Sequence, residues 1–164
     1  QWFTHVLMHK YSFLWKFHKV HHSVKEMGFA SHFRYHWIEN VFYKPFKYLA
    51  IIIIGGFEPE QAYIIHFLSI TIGHLNHSNL KISYGPFKYI FNNPIMHLHH
   101  HAHSSPDKFK IGVNFAISLS VWDYIFKTNY IPNSDGEIKL GYEGDHNMSK
   151  DFKGQLFYGF KKDD

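Results

Sequence analysis

The chain repeats one pattern, His-x-x-His-His, at His18, His21 and His22 and again at His97, His100 and His101. Two further pairs, His5-x-x-x-His9 and His74-x-x-His77, bring ten of its 16 histidines into clusters. An α-helix turns about 100° per residue, so positions i, i+3 and i+4 share a face. On that spacing His18, His21 and His22 are expected to converge on one point. So are His97, His100 and His101, and His5 and His9 share a further face. His99 and His103 fall roughly 200° and 240° from His97 and point away. Neutral imidazole binds first-row transition ions well, and helical spacing fixes the geometry in advance. One mononuclear site takes three or four protein ligands; ten converging histidines imply two metals. An all-imidazole set suits iron, zinc, copper or nickel. The Glu and Glu-x-x-His ligand set of soluble di-iron bundles is missing, as is the His-Glu-x-x-His of zinc hydrolases. Isolated histidines such as His32 and His146 read as ordinary packing or surface residues. A loose metal-scavenging tract would sit in low-complexity sequence, whereas these clusters sit in aromatic, helix-compatible sequence.

Composition narrows the alternatives. The chain has no cysteine, which excludes disulfide frameworks and thiolate metal sites. Hydrophobic residues at 45% and aromatics at 20% exclude a disordered chain. The net charge of +4 and pI of 9.1 come from scattered lysines without a basic block, so no nucleic-acid partner is expected. The same excess suits an anionic membrane surface.

The organisation reads as all-α. Residues 1–22 have no Gly or Pro and are expected to form one helix, with Met27-Gly28 as the first break and Pro45 as a kink. Gln61 to Leu80 lacks Asp, Glu, Lys and Arg over 20 residues, about the length that crosses a ~30 Å hydrocarbon core. With the apolar run around Ile51–Ile54 it predicts a membrane hairpin over about 41–77, turning at Gly55–Glu60. Lys44, Lys47, Lys81 and Lys88 flank the open ends and Glu58 and Glu60 the turn, which puts the histidine-rich cap on the cytoplasmic side. A mean hydropathy of −0.28 favours the alternative, a buried hairpin in a soluble helical protein. Residues 81–93 are a connector, and Pro94 suits the first turn of the helix carrying His97. Gly112–Phe126 is expected to be partly helical, and the tail from Ile131 an exposed cytoplasmic extension. This gives a catalytic region over 1–132 and a polar tail over 133–164. The opening at Gln1, on an aromatic, histidine-bearing stretch, reads as an N-terminal truncation.

Several longer stretches then carry a resemblance. Trp2-Phe-Thr-His5-Val-Leu-Met-His9 resembles the first histidine box of the sterol desaturase / fatty acid hydroxylase superfamily of membrane di-iron oxygenases. Leu14-Trp15-Lys-Phe17-His18-Lys-Val-His21-His22-Ser23 resembles its second box, and Arg34-Tyr-His36-Trp-Ile-Glu39 the stretch that follows. His77-Ser-Asn79, Pro94-Ile-Met-His97-Leu-His-His100-His101, and Asn114-Phe115 with Trp122-Asp123-Tyr-Ile-Phe126-Lys-Thr128 resemble the rest. Ala116 and Lys127 stand where the family usually has glycine.

The resemblance implies an integral membrane enzyme, in a bacterial inner membrane or the endoplasmic reticulum. Transmembrane helices would precede the first box. It also implies two irons, with zinc as a possible substitute in purified protein. The reaction would be O2-dependent hydroxylation or desaturation of a lipid C–H bond, on a sterol, fatty acyl chain or related lipid. Electrons would come from an external donor of cytochrome b5, ferredoxin or reductase type. The expected ligands are His5, His9, His18, His21, His22, His74, His77, His97, His100 and His101. Asp123, Glu39 and Asn114 are expected to orient the imidazoles, with a plain Arg34–Glu39 ion pair as the alternative for Glu39. His36 is an outside candidate, and His66 belongs near the substrate path or simply packs. The competing functional readings are a non-enzymatic membrane metal-binding or transport protein, and a soluble basic interaction domain.

Overall fold

The computed structural model describes residues 1–132 and 137–160. Among them every regular element is helical, and one isolated bridge pairs Ala102 with Leu140. The expected single helix over 1–22 is two, α1 (Trp2–Lys10) and α2 (Ser12–His22). Tyr11 breaks them with an extended backbone, φ −98° and ψ 121°. The break has a geometric reason. In one continuous helix His5 and His18 would stand about 20 Å apart along the axis; with the chain folded at Tyr11 their Nε2 atoms lie 3.1 Å apart. No Gly or Pro marks the turn, so tertiary packing of the histidine faces overrides local propensity.

A 3-10 turn (Phe29–Phe33) leads to α3 (Trp37–Leu49), which runs through Pro45 and continues as a π-helical turn (Ala50–Ile54). After the turn at Gly55–Glu58, α4 (Pro59–Asn76) meets the end of α3 at Tyr48, whose ring lies 6.2 Å from Tyr63 and 5.2 Å from His66. Lys47 Nζ donates to His66 Nδ1 at 3.1 Å across this helical hairpin. No helix among the described residues is long and apolar enough to cross a membrane. The 18 residues of α4 rise about 27 Å and include His66, His74 and Asn76.

The chain then forms α5 (Pro94–His100), α6 (Val121–Ile125) and α7 (Phe152–Leu156). Pro94 does open α5, and Asn93 Oδ1 caps it by accepting from Met96 N–H at 3.0 Å. Within Gly112–Phe126 only the five residues of α6 are helical.

The segment from Ile131 is not an exposed extension over its described part; residues 133–136 and 161–164 lie outside the described residues. Leu140 packs with Val24 and Met27, and Tyr142 and Met148 pack with Val20. Gly141 N–H donates to His101 C=O at 3.1 Å, and Lys25 pairs with Asp145. Its Gly, Asp and Asn content suggested exposure, but the apolar Ile138, Leu140, Tyr142 and Met148 cover the back of α2 and its following loop. Much of the interior is polar: buried polar residues outnumber buried apolar ones among the described residues, and most of the buried polar side chains near the centre are imidazoles.

Candidate metal centre

Nine histidines meet in two adjoining groups. His5, His9, His18, His22 and His100 form one; His21, His77, His97 and His101 form the other. Within each group every residue offers a ring nitrogen within 4.8 Å of the others. The groups abut, with the His22 and His101 rings stacked at 4.3 Å and the His97 and His100 rings at 5.2 Å.

Each His-x-x-His-His triplet divides between the groups rather than converging on one point. From α2, His18 and His22 enter the five-histidine group and His21 the other. From α5 the division is reversed: His97 and His101 enter the four-histidine group and His100 the five. Helical geometry explains this. Positions i and i+4 differ by about 40°, whereas i+3 lies about 100° from i+4. The pair therefore shares one direction and the middle histidine looks into the neighbouring group.

Hydrogen bonds fix the tautomers. His5 Nδ1 faces Phe115 C=O at 2.6 Å, His21 Nδ1 faces Arg34 C=O at 2.8 Å, and His77 Nδ1 faces Gly73 C=O at 2.6 Å. His100 Nδ1 faces Val113 C=O at 2.8 Å. A carbonyl only accepts, so each of these nitrogens carries the proton and each Nε2 presents a lone pair. Yet His21 Nε2 and His77 Nε2 lie 3.1 Å apart. Two lone pairs at that distance repel unless a cation lies between them. His9 Nε2, His22 Nε2 and His100 Nε2 are buried with no hydrogen-bond partner. Such orphaned acceptors are costly in a protein interior. Neutral, inward-facing nitrogens with outer nitrogens tied to backbone are what a transition-metal centre requires, so the residues fit a pair of metal ions.

Electrostatics agree. Burial and the neighbouring rings hold His5, His9, His22, His97, His100 and His101 well below the ordinary imidazole value. Burial lowers His18 to about 3 and His21 to about 4. The rings stay neutral at physiological pH and keep their lone pairs.

The carboxylates act from outside. Glu39 Oε2 meets His18 Nδ1 at 2.8 Å, while its Oε1 accepts from His36 N–H at 3.2 Å and so caps α3. Burial raises the Glu39 carboxyl to about 7. The ion-pair alternative fails, because Arg34 donates to Ser23 Oγ at 2.7 Å and to Val20 C=O at 3.1 Å instead. Asp123 touches no histidine. Its oxygens accept from Trp2 Nε1, Phe115 N–H and Ala116 N–H, each at 2.9 Å, and from Thr128 Oγ at 2.6 Å. It thereby fixes the loop whose Phe115 carbonyl holds His5. Asn114, at φ +52°, donates to Met96 C=O at 2.9 Å and Tyr130 C=O at 2.7 Å, and stands between the carbonyls that hold His100 and His5.

His74 is the one expected ligand outside both groups; it stacks on Phe29 at 4.2 Å and its Nδ1 meets Phe29 C=O at 3.2 Å. His36 is committed elsewhere, donating from Nε2 to Leu156 C=O at 2.7 Å and accepting at Nδ1 from Ile38 N–H. His99 also stays out, as its helical angle on α5 requires, and so does His103, which lies past the end of that helix. A cavity of ≈ 170 Å³ opens on the histidines and extends between α3 and α4. His5, His18, His21, His77 and His97 line one end, and Tyr43, Lys47 and His66 line it further along the hairpin. Sequence reasoning missed His32, which lies in this wall.

The family model described as fatty acid hydroxylase matches residues 1–128. The chain belongs to the fatty acid hydroxylase family. It is 28% identical over 159 residues to the ornithine lipid hydroxylase OlsE of Rhizobium tropici, covering 97% of this chain and 46% of that protein. It is 30% identical over 142 residues to the alkylglycerol monooxygenase of Danio rerio, covering 84% and 29%, and 28% identical over 132 residues to the human alkylglycerol monooxygenase, covering 77% and 27%. The chain thus spans less than half the length of these relatives. No solved structure matches it.

Proposed function

We propose that this chain forms the catalytic part of a membrane-associated lipid hydroxylase that uses O2 and holds two irons in its paired histidine groups. The observation that carries the reading is the juxtaposition of those two neutral imidazole groups at the end of a cavity between two helices. Family membership and relatives named for lipid hydroxylation and monooxygenation support hydroxylation over desaturation. The overall reaction balances as R–H + O2 + 2 e⁻ + 2 H⁺ → R–OH + H2O. An external carrier of cytochrome b5, ferredoxin or reductase type supplies the electrons. The bound irons supply the O2 chemistry that no side chain can. The chain's own residues hold the imidazoles in one tautomer, keep water from the histidine end of the cavity and align the lipid between α3 and α4.

The hairpin also supports membrane association. Ile53, Ile54, Phe67 and Tyr63 leave large apolar surface outside, with Ile54 85% and Phe67 70% exposed. Surface of that kind needs lipid or further protein to cover it. The lysines near the hairpin's open end support a cytoplasmic side for the histidines.

The test is to purify the metal-loaded protein from membranes, supply reductant and isotopically heavy O2, and analyse the lipids. Heavy oxygen in a hydroxylated lipid, lost in His101→Ala, is the expected result. Tight metal binding with no oxygen consumption under reducing conditions would instead favour the non-enzymatic metal-binding reading.

A further inference from the structure

His32 read from the sequence as an isolated histidine, and the structure puts it against the smaller histidine group. Its ring stacks on His77 at 4.6 Å between centroids and 26° between planes. It meets His74 edge-on at 4.4 Å. Room for it comes from Gly73, on the adjoining turn of α4. A Cβ at position 73 would lie 2.4 Å from His32 Cε1 and 2.6 Å from Nε2, so any larger residue there displaces the ring. His32 Nδ1 is buried with no hydrogen-bond partner, and the ring lines the cavity beside His21, His77 and His97.

These observations converge. The two groups are unequal, five imidazoles against four. Beside the smaller one lies an imidazole that no hydrogen bond among the described residues restrains. A glycine keeps a place for it, and its buried nitrogen gains a partner only by turning. We propose that His32 is a further metal ligand, swinging from its stacked position on His77 to complete the four-histidine group, so that both metals have five imidazoles within reach. The inference rests on the reading of the two groups as metal sites. The swing costs the His32–His77 stacking contact and satisfies an orphaned ring nitrogen. His32 lines the cavity together with His21, His77 and His97 of that group.

The experiment titrates cobalt(II) into the metal-free chain in detergent, with a competing chelator, and follows stoichiometry, affinity and the visible d–d absorption. The wild-type chain should take up two cobalt ions. His32→Ala should weaken one of them about tenfold or more and change its d–d band, leaving the other unaltered. Gly73→Ala, which evicts the ring without removing it, should give the same selective loss, and His74→Ala should leave both sites as they are. Circular dichroism confirms that each variant keeps its helices. Unchanged affinity and spectrum in both His32→Ala and Gly73→Ala would overturn the inference while leaving the two metal sites standing. A wild-type chain that takes up no cobalt would overturn the metal reading itself.

Discussion

Stripping the metals and lowering the pH should unfold the chain far earlier than ordinary proteins. The eight histidines of the two groups that lie outside the hairpin (His5, His9, His18, His21, His22, His97, His100 and His101) have folded values lowered from the ordinary 6.5. A depressed folded value means that the unfolded chain binds more protons, so stability falls as the pH drops below 6.5. At pH 5.5 holding one such ring neutral costs about 1.4 kcal/mol, and the eight together about 11 kcal/mol. Glu39 works in the opposite direction. Its value is raised from 4.5 to about 7, which returns about 2 kcal/mol at that pH. The net loss, about 9 kcal/mol, matches the whole stability of a typical domain. Circular dichroism of chelator-treated protein, titrated from pH 8 down to 4, should therefore show a steep transition with a midpoint between about pH 5 and 6. Repeating the titration with metal added should move the midpoint downward, because metal binds only the neutral rings. A metal-free midpoint below about pH 4 would refute the claim that these imidazoles are held buried and neutral.

Three substitutions check the supporting structure. Glu39→Gln places an amide donor or a neutral acceptor against His18 Nδ1 and weakens the tautomer control; metal affinity of the five-histidine group should fall about 10- to 100-fold by chelator competition. Asp123→Ala leaves the Phe115 and Ala116 amides without their acceptor and Trp2 Nε1 with only Thr128 Oγ at 3.3 Å, and the urea midpoint should report a loss of at least about 3 kcal/mol. Lys25→Met removes an ion pair whose lysine is 57% exposed, and should cost less than about 1 kcal/mol in the same assay.

What the sequence disclosed follows from which signals are local. Helical spacing is local, so nine of the ten expected ligands are found together, and Pro94 opens its helix where it should. The division of each triplet was also within reach, because the angle between i+3 and i+4 is fixed by the helix; what the pattern lacks is where the neighbouring group lies. The break at Tyr11 carries no turn residue and arises only when the two histidine faces pack together. His32 carries no local signal, because its relation to Gly73 spans 41 residues and exists only in three dimensions. The tail misled through its composition: a few well-placed apolar residues among Gly, Asp and Lys are enough to dock it on α2. Glu39 could be guessed as an orienter of imidazoles, but choosing His18 over Arg34 required coordinates.

The most direct measurement is metal content and coordination in protein purified without chelators, by elemental analysis together with X-ray absorption at the metal edge. About two metal ions per chain are expected, each in a shell dominated by imidazole nitrogen, falling to about one or none when His22 and His101 are both replaced by alanine. One ion per chain in a site built on other residues, or binding that survives that double replacement, would contradict that expectation.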